Sequence, residues 1–261
     1  MKVKVLEQQS LTQANWENLL DLYRDIQSKT EDVKIGYEPL LNFSSFVYAW
    51  PNFSIVSESE NNLNDQIVMI DRAIIQNQIP SILLLNPLIQ CDVQLSASLE
   101  RFSIRQIDQW PVIYYDMNQG LPRLTANPDL EIELVTNKQA LADWHLVARK
   151  MLFKDKQLPV SSFLTQDYIL LVGYLDSEPV ASTLLFVGSE VPSVHMVAVL
   201  PQHMKKGIGK SIFSKALEIS ADLKAKRVFA QASQMGTKPW LELGFKISGY
   251  IYIFWKVGYI L

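Results

Sequence analysis

Two glycines and three lysines meet where a strand gives way to a helix, in Val199-Leu200-Pro201-Gln202-His203-Met204-Lys205-Lys206-Gly207-Ile208-Gly209-Lys210. Glycine lets a backbone come close to a ligand, and the first turn of a helix offers unpaired N–H groups at the positive end of its dipole. The chemistry such an arrangement suits is the binding of a phosphate or diphosphate. Lys205, Lys206 and Lys210 sharpen the reading. A cation at a helix N-terminus is unfavourable by about 0.3–1 kcal/mol, so three together form a local conflict that a bound anion would resolve.

The elements that must hold this loop can be read from hydrophobic period. A strand near 131–135 leads to a helix near 138–151, then to a helical or irregular segment reaching about 167. The strands Ile169 to Tyr174, Val180 to Val187 and Val194 to Val199 follow. The helix after Lys206 carries Ile208, Ile212, Ala216, Leu217 and Leu223 along one face, which predicts packing on the sheet. Arg227 to Ala232 reads as a strand, Pro239 to Leu243 as a short helix stopped by Gly244, and Phe245 to Phe254 as a final strand. The fold class is α/β (α+β), with a mixed central sheet flanked by helices.

Composition bounds the rest. The chain has 261 residues, 48% of them hydrophobic, enough for one or two cores. Its formal charge of -3 argues against nucleic acid or an anionic membrane as main partner. Cys91 is the single cysteine, which rules out an internal disulfide, disfavours a thiolate metal site and fits the cytoplasm. The start turns polar before an apolar signal region can form, and the longest apolar runs are strand length, so neither a secretory signal nor a membrane span is expected. Asn118, Gln119, Gly120, Pro122, Asn127 and Pro128 interrupt any period between Asp116 and Asp129. This seam divides the chain into residues 1–127 and 128–261. The polar stretch Ser57 to Asp65 reads instead as a loop inside a domain, ending in a helix cap before Ile67, Ile70, Ile74 and Ile75.

The run from strand through Pro201 to Gly207-Ile208-Gly209, with Trp240-Leu241-Glu242-Leu243-Gly244-Phe245 some 30 residues later, resembles the GCN5-related N-acetyltransferase (GNAT) superfamily over roughly residues 131–256. The resemblance implies that acetyl-CoA is the co-substrate, with its pyrophosphate held by the loop amides of Met204, Lys205, Lys206, Gly207, Ile208, Gly209 and Lys210. The superfamily pattern begins with Arg or Gln, where this chain has Met204. It also implies a splay of the strand before the loop, whose backbone at Val197, Ala198 and Val199 would pair with the pantetheine arm; the alternative is a fully paired core strand. No metal is implied.

Transfer to an amine needs a proton acceptor. His195 is the candidate, since a free imidazole titrates near about 6.5, and alternation along the strand would put it on the face of Val197 and Val199. The segment Ser193 to Val199 also looks like the corresponding strand of arylalkylamine N-acetyltransferases, which carry histidines at the places of both Ser193 and His195. Glu190 is a weaker alternative base. The tyrosine that many members use to protonate the CoA thiolate is replaced by Trp240, whose indole cannot titrate and whose plainer role is packing. By position Trp240 would border the cofactor. Ser233 stands where relatives often have asparagine and would serve the sulfur region in catalysis and cofactor binding, and Tyr250 or Tyr252 are substitute donors.

The first half is read from weaker signals. Trp16, Leu19, Leu20 and Tyr23 make an amphipathic helix, Ser81 to Asn86 a buried strand, and Ser98 to Phe102 followed by Trp110 to Tyr115 a closing helix and strand. Gly36 and Gly120 stand alone, so a second acetyl-CoA site is not expected. Residues 1–127 are read as a degenerate, non-catalytic GNAT-like copy that docks on the second half and shapes the acceptor groove, with an unrelated α/β domain as the alternative. Two function classes result: an acetyl-CoA-dependent N-acetyltransferase acting by direct attack, with residues 151–166 bordering the acceptor, or a catalytically impaired acyl-CoA sensor or interaction module. Neither acceptor identity nor oligomeric state can be read from these residues.

Overall fold

Alternating apolar stretches in the second half form strands within one or two residues of the expected limits in the computed structural model, which describes residues 2–57, 63–122 and 127–259. In chain order the elements are α1 (Lys2–Ser28), β1 (Lys34–Gly36), β2 (Leu41–Ser44), β3 (Phe53–Val56), α2 (Leu63–Ile75), β4 (Ile82–Leu85), α3 (Val93–Arg101) and β5 (Ile104–Asp116). Then come β6 (Glu131–Leu134), α4 (Lys138–Leu152), β7 (Tyr168–Leu175), β8 (Glu178–Phe186), β9 (Ser193–Val199), α5 (Ile208–Asp222), β10 (Arg227–Gln231), α6 (Gln234–Glu242) and β11 (Lys246–Lys256). Short 3-10 turns fall at Met117–Gln119, Val160–Phe163 and Pro201–His203. Residues 58–62, within the expected inner loop, and 123–126, within the expected seam, lie outside the described residues.

The strands form one mixed sheet in the order β1-β2-β3-β4-β11-β5-β10-β9-β8-β7-β6. Its middle is an exchange. The carboxyl end of β5 pairs antiparallel with β10, from Val112 on Gln231 to Asp116 on Arg227. The carboxyl end of β11 pairs antiparallel with β4, from Tyr252 on Leu85 to Trp255 on Ile82. The two strands also pair with each other along ten positions. Each half therefore lends its last strand to the other's sheet. The parallel pair β3–β4 on one side of this centre mirrors the parallel pair β9–β10 on the other.

Helix α1 crosses the exchange. Its Trp16, Leu19, Leu22, Tyr23 and Ile26 join Trp144 of α4 and Leu170, Leu184 and Phe186 of β7 and β8 in one core. Buried Asn15 donates to the Ile113 carbonyl at 2.8 Å and accepts from Gln231 Nε2 at 2.6 Å, so its amide spends no buried donor or acceptor on empty space. The opposite face is filled by Ile208, Ile212, Phe213 and Leu217 of α5 with Trp240, Leu243 and Phe245. A third core lies under α2 and α3.

Three expectations shift. Leu223 and Ile75, assigned to buried helix faces, are 52% and 49% exposed because each closes or follows the last turn of its helix. Helix α6 starts five residues before Pro239, since Ser233 caps it by accepting from the Gly236 N–H. Among the described residues no helix is long and apolar enough to cross a membrane.

Candidate functional site

Strands β9 and β10 start together and then part. They pair in parallel only at Ser193 on Phe229 and Val194 on Ala230, leaving the rest of β9 with no partner strand on that side among the described residues. At the mirrored place in the first half, β3 and β4 pair at Ser54, Ile55 and Val56 with Leu83, Leu84 and Leu85, and the Asn86 N–H extends the ladder to the Val56 carbonyl at 2.9 Å. The second half is splayed where the first half is closed.

A cavity of about 430 Å³ runs through the opening. On the α5 side it is walled by Gly209, Lys210, Ser233, Gly236 and Trp240, and on the α1 side by Leu19, Tyr23, Trp50, Trp110 and Phe153. Val194, His195, Met196 and Val197 line the passage between. The cavity thus joins the expected phosphate loop to an aromatic chamber furnished by the first half.

Gly207 caps α5 in the left-handed region, φ +78°, a conformation that suits a residue with no Cβ. It has no side chain to satisfy the first turn, and the first internal bond recorded there is Ser211 N–H to the Gly207 carbonyl. The amides of Ile208, Gly209 and Lys210 are left pointing outward, as helix geometry requires. Lys205 also takes a positive φ, +62°, turning the chain into the cap. These amides fit a diphosphate. Met204, Lys205 and Lys206 are exposed around the loop. The charge pattern differs from the expectation of three uncompensated lysines, because Lys210 is ion-paired with Glu242 of α6. That hydrogen bond and charge hold the Glu242 carboxyl below its ordinary range. Two lysines, not three, remain for an anion.

His195 is where the sequence reading needs correction. Met196 has φ +51°, and the β8–β9 register skips from Leu184 on His195 to Ser182 on Ala198, so β9 carries a bulge at Met196 and Val197. The extra residue reverses the alternation. Val197 and Val199 pack toward the α5 core with Val194, while His195 shares the opposite face with Ser193, its Nε2 2.8 Å from the Ser193 hydroxyl. Enclosure pushes the imidazole down to about 3 although one edge opens on the cavity. The ring is neutral at pH 7 and a weak base. The bulge is held from both sides: Thr183 Oγ1 donates to the His195 carbonyl at 3.2 Å, and the Trp144 indole donates to the Thr183 carbonyl at 2.8 Å.

Ser233 spends its oxygen on the α6 cap, 3.2 Å from the Gly236 N–H, and keeps its hydroxyl hydrogen to give. Trp240 is 9% exposed, wedged against Phe213 at 3.7 Å between ring centroids and against Phe245, and forms part of the cavity wall. Neither Tyr250 nor Tyr252 lines the cavity: Tyr250 is exposed opposite Pro111 of β5, Tyr252 lies where β11 pairs with β4, and Glu190 is exposed in the turn before β9. Of the 151–166 segment, Leu152 and Phe153 reach the wall. Tyr23, Trp50, Asp108, Trp110 and Gln231 were not legible as site residues. Tyr23 of α1 and Asp108 and Trp110 of β5 enter the site because those two elements reach across to the other half, Trp50 comes from the β2–β3 loop and Gln231 from the end of β10, and no local motif marks any of them.

A sheet whose central parallel strands part beside an uncapped helix N-terminus, with a through-cavity at the fork, defines a GNAT fold. Residues 138–245 match the Acetyltransferase (GNAT) family model. Solved structures similar to the chain include a GCN5-related N-acetyltransferase from Kribbella flavida, at 14% identity and TM-score 0.65, covering 90% of this chain and 93% of that one. A conserved protein of unknown function from Staphylococcus epidermidis is similar at 17% identity and TM-score 0.63, over 88% and 96% of the two chains. A tandem GNAT protein from the clavulanic acid biosynthesis pathway is similar at 12% identity and TM-score 0.52, over 79% and 75%. At these identities the likeness is one of fold, and the last case carries two GNAT units in one chain. No curated protein matches the sequence.

Proposed function

We propose that the protein is an acyltransferase that moves an acetyl group from acetyl-CoA to an amine by direct attack. Family and fold support a general acyltransferase function. The observation that carries the finer reading is the cavity that passes through the β9–β10 fork and joins the free amides of Ile208 to Lys210 to an apolar chamber. Those amides, with Lys205 and Lys206, would take the pyrophosphate, and the unpaired side of Val197, Ala198 and Val199 would take the amide groups of the pantetheine arm. Acetyl-CoA held by these groups would supply the activated thioester. The chain's own part is positioning: it fixes the thioester's neighbours and brings the acceptor nitrogen within reach. His195 offers a neutral ring nitrogen on the passage, but its low basicity limits the acceleration it gives. The acceptor proton therefore leaves largely to water at the open mouth. Residues 1–127 act as the non-catalytic partner of 128–261.

The sensor reading draws on two features, Trp240 in place of the tyrosine acid and the weak basicity of His195. Calorimetric titration with CoA and acetyl-CoA, paired with release of free thiol over an amine panel, separates the classes. Binding with amine-dependent thiol release supports the transferase, binding with no release for any amine supports the sensor, and no binding overturns both.

A further inference from the structure

Resting on the transferase reading, we infer that Asp108 recognises the acceptor, and that the acceptor is a monocationic amine on an apolar or aromatic body. The chamber on the α1 side is built from Leu19, Tyr23, Trp50, Trp110 and Phe153. Asp108 is the carboxylate among its lining residues. It lies on β5 with the parity of Trp110 and Val112, both of which pack into the α1 core. Among the described residues the first half thus contributes the one acid to a site whose expected phosphate loop belongs to the second.

The carboxylate is oriented but not neutralised. Oδ2 accepts from the Trp110 indole N–H at 2.8 Å and Oδ1 from the Gln109 N–H at 2.8 Å. Both donors are uncharged, and among the described residues no lysine, arginine or histidine is ion-paired with Asp108. An ionised carboxylate has lone pairs for about four hydrogen bonds, so two such bonds leave it able to accept from an ammonium. The cation of Lys210, on the far side of the fork, is already matched by Glu242.

The walls select the rest of the molecule. Tyr23 and Trp50 meet edge-on at 5.3 Å between centroids, and Trp50 meets Phe153 at 6.3 Å. Aromatic faces favour apolar groups and cations, and a cation held against them gains about 0.5–2 kcal/mol. One carboxylate in such a chamber suits one positive charge. A polycation would leave further charges against apolar walls, and an amine bearing its own carboxylate would set two anions together. In the reaction the ammonium gives a proton to water, the neutral nitrogen attacks the thioester carbon, the C–N bond forms as the C–S bond breaks and the thiolate leaves with the electron pair, and the nitrogen then gives its second proton to water while the thiolate takes one up from water.

The test is calorimetric titration of the full chain, saturated with CoA, using phenethylamine and phenylalanine as probes, which differ by the carboxylate. Wild type is expected to bind phenethylamine at least 10-fold more tightly than phenylalanine. Asp108→Asn should weaken phenethylamine at least 10-fold while CoA affinity stays within twofold, and Asp108→Glu should recover part of the loss. Equal amine affinities in wild type and Asp108→Asn, or no amine binding to the CoA complex, overturns the assignment while the CoA reading stands. Absence of CoA binding overturns the reading beneath it. A variant whose melting temperature falls steeply is replaced by Trp110→Phe, which removes the indole donor and should weaken the amine less than Asp108→Asn; unchanged affinity in Trp110→Phe then counts against the oriented carboxylate.

Discussion

Cutting the chain before residue 128 should leave a fragment that cannot fold alone, although it contains the whole span that matches the family. The fragment loses β5, which pairs with β10 at five positions and with β11 at ten. An antiparallel ladder forms about one hydrogen bond per paired position, each contributing about 0.5–1.5 kcal/mol net, so the loss is on the order of 10 kcal/mol. That equals the whole stability of a typical domain, about 5–15 kcal/mol. The fragment also loses α1, whose Trp16, Leu19, Leu22 and Tyr23 cover the core around Trp144, and it exposes β10 and β11 as bare edges. Expressed alone, residues 128–261 should aggregate or elute as a broad oligomer without a cooperative melt. Co-expression with residues 1–127 should return a soluble pair with one melting transition. A monomeric fragment that melts cooperatively and binds CoA would refute the reasoning, because it would mean that the exchanged strand is dispensable.

Gly207→Glu should abolish CoA binding measured by calorimetry while lowering stability by only about 1–2 kcal/mol, the cost of a side chain in the left-handed region. A Cβ there meets nothing within 4 Å, so the fold should survive, and Gly207→Ala should bind CoA better than Gly207→Glu. His195 makes stability depend on pH. Its folded value near 3 lies below an unfolded value of about 6.5, so between them the unfolded chain binds the extra proton. Its contribution is complete above about pH 6.5 and declines as pH falls toward 3. At pH 5 the loss is about 1–2 kcal/mol, reduced from full burial because the cavity admits solvent. Urea denaturation at pH 7.5 and 5.0 should show that difference shrinking in His195→Gln, and equal slopes in both proteins would remove the claim. His195→Ala should also lower turnover with CoA affinity unchanged; undiminished turnover would make the residue purely structural.

The sequence by itself determined the local pieces of the second half. Ile208, Ile212, Ala216 and Leu217 at helical spacing fix the buried face of α5, and Gly207 marks the cap because a residue without Cβ enters the left-handed region easily. Strand limits in the second half followed from alternation. What alternation cannot carry is a bulge: the extra residue at Met196 turns His195 away from Val197 and Val199, and nothing in Ser193 to Val199 announces it. The ion pair of Lys210 with Glu242 lay beyond reach for a related reason, since 32 residues separate partners that only the packing of α5 against α6 brings together. Above all, the exchange of β5 and β11 belongs to tertiary structure. Edge hydrogen bonds are the same for any strand of suitable length, so which strand fills the gap beside β10 is decided by α1 and the shared core, and with it which residues wall the acceptor chamber.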